Sequence, residues 1–177
     1  MLLAKFALRS KGLSKGLSIL TRNKTRKRGG FTLIELMISI SIMGLIVILS
    51  VPNFSRFLQS WKLTGDSNRF AATLRTARAA AIAKNVNVIF DFDTDDGTFS
   101  YYEDNDRDGT WDGNEYRSAT YRLETGIGFA GRTLSSGTLT FGSMGTTRES
   151  GSVTLRNSYN RTRTVRIFGG TGNIAIE

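Results

Sequence analysis

The chain is 177 residues long, carries a formal charge of +9, and contains neither cysteine nor histidine. Those two absences remove the usual thiolate, imidazole and zinc chemistries and require a fold that holds without disulfides. The charge is also unevenly placed: residues 1–30 hold nine Lys or Arg and no acid, whereas residues 31–177 hold fifteen charges of each sign, so the high isoelectric point is no evidence for nucleic-acid binding by that larger part.

A basic, Ser-containing, acid-free leader could pass for an organellar transit peptide, but such peptides precede soluble sequence. Here an apolar run follows at once. Residues 31–51 are enough, at 1.5 Å per residue, to cross roughly 30 Å of hydrocarbon. Glu35 is the one ionisable residue in that run, one helical turn inside it. A carboxylate at that depth is costly unless something pairs with it, so it marks a function by default. The excess of Lys and Arg before the run sets the N-terminus in the cytoplasm and the C-terminal part across the membrane.

Pro52 frees a carbonyl one turn back and predicts a kink without ending the helix. Beyond it Phe54, Phe57, Leu58, Trp61, Phe70, Leu74, Ala77, Ala81 and Ile82 recur at three- and four-residue spacing, which predicts one buried stripe. Arg56, Lys62, Arg69, Arg75, Arg78 and Lys84 read as decoration of the remaining surface, Gly65 as a weak point and Asn85 as the C-cap. A helix over residues 31–84 would be about 80 Å long.

After Asn85 the texture becomes β. Val86, Val88, Phe90 and Phe92 alternate with polar partners, Thr94-Asp95-Asp96-Gly97 reads as a hairpin turn, and residues 98–102 return. Further short strands are expected near 116–123, 138–141, 153–156, 164–168 and 173–176, with the glycines between them, Gly126, Gly128 and Gly131 included, as turns. About 120 residues lie beyond the span, enough for one modest domain. The expected fold is therefore α+β: a long N-terminal helix, half transmembrane and half amphipathic, packed on an antiparallel sheet. Its divisions are 1–30 (leader), 31–52 (membrane helix), 53–85 (amphipathic continuation) and 86–177 (β-rich domain).

No phosphate loop, nucleotide fingerprint or nucleophile elbow is present, and no enzyme is expected. The one sharp local motif runs from Asp104 to Glu115 and matches the calcium-loop spacing D-x-D-x-D-G-x5-E. Asp104, Asp106, Asp108, Asp112 and Glu115 would supply carboxylates, Thr110 its carbonyl, and Gly109 the sharp bend. Strand-like flanks rule out an EF-hand domain, and Trp111 replaces the usual aliphatic residue at the eighth place. Residues 91–115 hold ten acids and one Arg, so a counter-ion, Ca²⁺, is one reading and a solvated acidic hairpin loop the other. No cofactor is otherwise required. Residues 116–177 reverse the sign, with eight Arg and three acids, densest at Arg161, Arg163 and Arg166. Clustered arginines suit phosphate, solvated strand ends, or pairing with a neighbour's acidic loop, and no aromatic stack accompanies them.

The block Lys27-Arg28-Gly29-Gly30-Phe31-Thr32-Leu33-Ile34-Glu35-Leu36-Met37 resembles the processing site of type IV pilins and type II secretion pseudopilins. The resemblance implies cleavage after Gly30 by a prepilin peptidase, N-methylation of the new terminal Phe31, and attraction between Glu35 and the terminal amine of a neighbouring subunit. It also implies that the stretch between Gly44 and Pro52 loses helicity in a filament. Residues 70–85, Phe141-Gly142-Ser143-Met144-Gly145 and the final strand-turn-strand with Gly172 at its turn are similar to the GspH, FimT and FimU branch of minor subunits. That branch implies a structural subunit of a secretion pseudopilus or type IV pilus. It would be held in the inner membrane by one span with its β domain in the periplasm. Its partners would be major and minor pilins or pseudopilins, the inner-membrane assembly platform and membrane lipid. The FimT likeness adds the lesser alternative of DNA binding through Arg161, Arg163 and Arg166 during natural transformation.

Overall fold

The computed structural model describes residues 30–135 and 137–177; the leader up to residue 29 lies outside the described residues. One helix, α1 (Leu33–Lys84), precedes eight strands: β1 (Asn87–Asp93), β2 (Thr98–Asp104), β3 (Tyr121–Arg122), β4 (Ile127–Arg132), β5 (Thr138–Phe141), β6 (Gly151–Asn157), β7 (Thr162–Phe168) and β8 (Asn173–Ile176). The chain divides into two compact units, Met1–Ile42 and Met43–Glu177.

In the first unit the described part is the start of α1. Thr32 caps it: its Oγ1 accepts the Glu35 N–H at 3.2 Å and its carbonyl accepts Leu36 N–H at 3.1 Å. Thr32 and Glu35 thus stand at the N-cap and N3 positions of a capping-box sequence, with the carboxylate at the positive end of the helix dipole. Serines inside the apolar run return their hydroxyls to the helix. Ser39 donates to the Glu35 carbonyl at 2.7 Å, and Ser41 to that of Met37 at 2.8 Å. In the second unit Ser50 does the same to Ile46 at 2.7 Å. Such back-bonding removes the cost of carrying hydroxyls into an apolar layer.

In the second unit α1 continues through Pro52 and ends at Lys84. Asn85 follows with φ of 57°, and Val86 N–H reaches back to the Ala81 carbonyl at 3.3 Å. That is a Schellman ending, with Asn in the left-handed position usually held by Gly. The antiparallel strands form two four-stranded sheets, ordered β3-β2-β1-β5 and β4-β6-β7-β8. α1 packs into the core between them through Leu63, Phe70, Ala71, Leu74, Ala77 and Ala81. Phe70 is fully buried, and its ring meets Phe90, Phe92 and Phe99 of the first sheet and Phe129 of the second edge-on, at 5.1 to 6.0 Å between centroids. Edge-to-face pairs of this kind contribute about 0.5–1.5 kcal/mol each beyond area burial.

Four expectations from the sequence are corrected. Two sheets replace one. The strand near 116–123 shrinks to Tyr121–Arg122 plus an isolated bridge between Tyr102 and Arg117, and between them Tyr101 N–H donates to Ser118 Oγ at 3.0 Å in place of a ladder carbonyl. Gly128 and Gly131, expected in turns, instead lie in β4 and pair with Arg156 and Thr154 of β6, with a bulge between Phe129 and Gly131. Glycine inside a strand marks such a bulge as well as a turn. Finally, Phe54, Phe57, Leu58, Trp61 and Ile82 are exposed rather than buried. The buried face instead begins at Leu63 and includes Asp66, Ser67 and Thr73.

The β7–β8 turn and the turn at Gly145 are pinned to α1. Arg78 donates from Nε to the Gly145 carbonyl at 2.9 Å and from Nη2 to the Thr171 carbonyl at 3.0 Å. A Cβ on Gly172, whose φ is 63°, would lie 2.0 Å from the Gly145 oxygen, whereas one on Gly170, φ 76°, meets open space. Gly170→Ala should therefore cost only left-handed strain, about 1–2 kcal/mol, and Gly172→Ala distinctly more, because backbone must move. Thermal unfolding of the two variants checks this; equal losses would refute the close packing of the two turns.

Candidate functional site

The expected processing and assembly residues lie at the entry to α1. Gly30 has open space around its α-carbon, and Phe31 is exposed. Glu35 is exposed, and no ion pair to it is found among the described residues. Its backbone N–H is fixed by Thr32, so its position on the first turn is set by the cap.

The acidic loop departs from the end of β2. Asp104, Asp106 and Asp108 each bring a carboxylate oxygen within 4.8 Å of the others, Asp104 being buried and the other two exposed. Asp112 and Glu115 are not in that group. Much of the loop is satisfied by its own backbone. Asp108 Oδ1 accepts Thr110 N–H at 2.7 Å, Asp112 Oδ1 accepts Asn114 N–H at 2.9 Å, and Glu115 Oε1 accepts Asn105 N–H at 2.5 Å. Glu115 Oε2 is buried without a partner. Gly109 adopts φ of 81° at the bend, where an L side chain would be strained. Trp111 donates from Nε1 to the Glu115 carbonyl at 3.1 Å, closing the loop over Arg117. Arg107, at its tip, lines a groove of about 760 Å³ beside β5, with Arg148 also on the wall.

Strand geometry separates the three arginines. Arg161 turns to the helix and donates to Ser60 Oγ at 3.2 Å. Arg163 is half-buried opposite Leu155, on the side of β7 that carries Val165 and Ile167. Arg166 is on the other side and pairs with Glu177 at 3.0 Å. Residues at odd and even positions of a strand face opposite ways, so density in the sequence does not become one phosphate-facing row.

The polar clamps along α1 are missed by sequence reasoning, in which Lys62, Arg75, Arg78 and Lys84 read as surface decoration and Asp66 has no assigned role. At the near end of α1 Asp66, 2% exposed, accepts Glu124 N–H at 2.8 Å, while Lys62 pairs with Glu124 at 3.5 Å. At its far end Arg75 donates to the Ile174 carbonyl at 3.0 Å and Lys84 to Glu103 at 2.7 Å, with Glu103 buried. The available signal was spacing: Lys62 and Asp66 are i, i+4, and Asp66 falls inside the buried arc.

Burial raises the Asp66 pKa above its ordinary value, opposed by the Glu124 N–H and by Arg69 and Lys62, while Glu124 adds to the rise. An acid whose folded pKa is raised binds protons more tightly when folded, so its contribution to stability falls as pH rises from about 4 through the folded pKa. Asp66→Asn, which keeps an acceptor for Glu124 N–H, should remove that fall. The Tm difference between variant and parent should grow more positive with pH across that window and then level off; a flat difference would contradict it.

Residues 66–171 match the profile of the family described as Type II transport protein GspH, and residues 25–51 match the prokaryotic N-terminal methylation motif. Prepilin peptidase-dependent protein A of Clostridium perfringens is 43% identical over 53 residues, 30% of this chain and 38% of that protein, so the match spans little more than a third of that relative. The fold is similar to the minor pilin FimU of Pseudomonas aeruginosa (TM-score 0.56, 15% identity, 68% of this chain and 92% of that one). It is also similar to the minor pseudopilin EpsH of Vibrio cholerae (TM-score 0.52, 13% identity, 66% and 96%).

Proposed function

The chain belongs to the GspH family of type II transport proteins, and we propose that it is a minor pseudopilin or minor pilin, a structural subunit built into a secretion pseudopilus or type IV pilus rather than an enzyme. The observation that carries this reading is the pairing, in one chain, of the methylation motif at residues 25–51 with the GspH match at 66–171. Residues 31–51 anchor the subunit in the inner membrane, and the β domain stands in the periplasm. Prepilin peptidase cuts after Gly30, and Phe31 becomes the methylated terminus. Glu35 then offers a carboxylate, in a layer of low dielectric, to the amine of a neighbouring subunit's first residue. Charges that are expensive apart in such a layer attract strongly when brought together. The partners are other pilin-type subunits, the peptidase and the membrane assembly platform.

Gly30→Asp should leave an unprocessed precursor on immunoblots of the native host, and a mature-sized band would refute the cleavage assignment. Glu35→Ala should be processed yet lose most filament incorporation, because only the inter-subunit charge pair is removed. Incorporation equal to the parent would sink that role.

The approach of three carboxylates within 4.8 Å favours a second property, occupancy of the loop by Ca²⁺. Asp104, Asp106 and Asp108 would hold the ion, Thr110 would offer its carbonyl, and Asp112 and Glu115 would close around it. Calorimetry with Ca²⁺ should give saturable heat, abolished by Asp106→Ala, with a change in Trp111 fluorescence. At tenfold excess over Kd the bound ion would add about 1.4 kcal/mol of stability. No heat at millimolar Ca²⁺ would leave the bare acidic loop.

A further inference from the structure

Phe54, Phe57 and Trp61 are 65%, 66% and 69% exposed, although each is large, apolar and within the second compact unit. At 100° per residue they share one side of α1, opposite the side that buries Leu63 and Phe70. At the same level, the turn between β6 and β7 presses its polar and aromatic groups against the helix. Arg56 lies over the Tyr159 ring at 5.8 Å, and Arg161 reaches Ser60. The turn is closed by its own hydrogen bonds: the buried Asn157 accepts both Tyr159 and Arg161 N–H through Oδ1 at 3.0 Å, and Asn160 sits at φ of 60°.

We propose that residues 54–61 of α1 and the Ser158–Arg161 turn form a collar that contacts the headgroup layer of an anionic bilayer, with Phe54, Phe57 and Tyr159 toward the acyl boundary, Trp61 at the outer edge of the layer, and Arg56 and Arg161 at lipid phosphates. The proposal rests on the reading of residues 31–51 as a membrane anchor. Three observations select lipid as the occupant. The collar begins three residues beyond the apolar run, so its α-carbons lie about 5–15 Å along the helix from Val51, overlapping a headgroup layer about 5–8 Å thick. Side chains on a helix lean toward its N-terminus, here toward the bilayer, which brings Trp61 back toward that layer. Aromatic rings with an adjoining cation are also the composition of a membrane interface, where each Arg near an anionic surface is attracted.

The chain has two Trp, so the full chain carrying Trp111→Phe reports on Trp61 alone. It is reconstituted in phosphatidylcholine vesicles with or without phosphatidylglycerol, using lipids brominated near the headgroup or deep in the acyl chain. Flotation is read first: a chain that stays with the soluble fraction overturns the anchor and the collar together. In the floating protein, shallow bromines should quench Trp61 more than deep ones, and anionic lipid should increase that quenching. Arg56→Gln with Arg161→Gln should still float and lose the anionic increment. The depth reading on Trp61 stands even where those arginine variants misfold. A floating chain with water-like, unquenched Trp61 overturns the collar and leaves the anchor intact. Blue-shifted but unquenched emission that reverts to water-like on dilution into excess lipid assigns this face to a second copy and overturns the lipid assignment.

Discussion

Among the described residues the two sheets share no ladder; the Phe70 ring meets both at one centre, where Phe92 of the first and Phe129 of the second also touch at 5.7 Å. Phe70 meets three rings of the first sheet and one of the second, and it is held on the same face of α1 as Leu63, Leu74 and three alanines. Small residues at Ala71, Ala77 and Ala81 let the helix approach closely, so dispersion contacts accumulate over a core made of short elements. Polar clamps then fix the helix along its length, Lys62 and Asp66 against the β3–β4 loop, Arg75 and Arg78 against β8 and its turn, and Lys84 against Glu103. Each joins a helical side chain to a loop or strand-end group that would otherwise need water, the requirement placed on any buried backbone polar group.

The same helix answers to two environments. Its first part is apolar on every side and hides its serine hydroxyls in i−4 bonds, while its second part buries one face from Leu63 onward and leaves Phe54, Phe57 and Trp61 exposed on the other. The apolar run thus leaves few polar groups unsatisfied, and Glu35 is its one charged residue. Its backbone N–H is held by Thr32, which sets where on the first turn Glu35 stands.

Charge is likewise segregated. The acidic loop is folded on itself by turns in which each aspartate accepts a backbone N–H two residues on, as Asp106, Asp108 and Asp112 do. Of the clustered arginines, Arg161 in the β6–β7 turn reaches the helix, while strand alternation sends Arg163 to the core side and Arg166 to the outer face. Acidic density therefore survives as a local cluster, whereas basic density does not, because a loop can turn successive side chains inward and a strand cannot.

The sequence alone determined what depends on neighbours along the chain. The apolar run and its lone Glu35, the end of the helix at Asn85, the turn before Gly97, and most strands follow from composition, period and turn chemistry, and the structure agrees on each. The loop motif was legible for the same reason, since its spacing is local. Tertiary structure alone decided which side of α1 is buried, that Gly128 and Gly131 lie in a strand, that Arg75 and Arg78 are clamps, and that Arg161, Arg163 and Arg166 part company. Each of these depends on a partner distant in sequence. Three- and four-residue spacing marks apolar positions but does not say which face a distant partner covers, so Phe54, Phe57 and Trp61 fit the spacing while lying on the side of α1 opposite the one that buries Leu63 and Phe70.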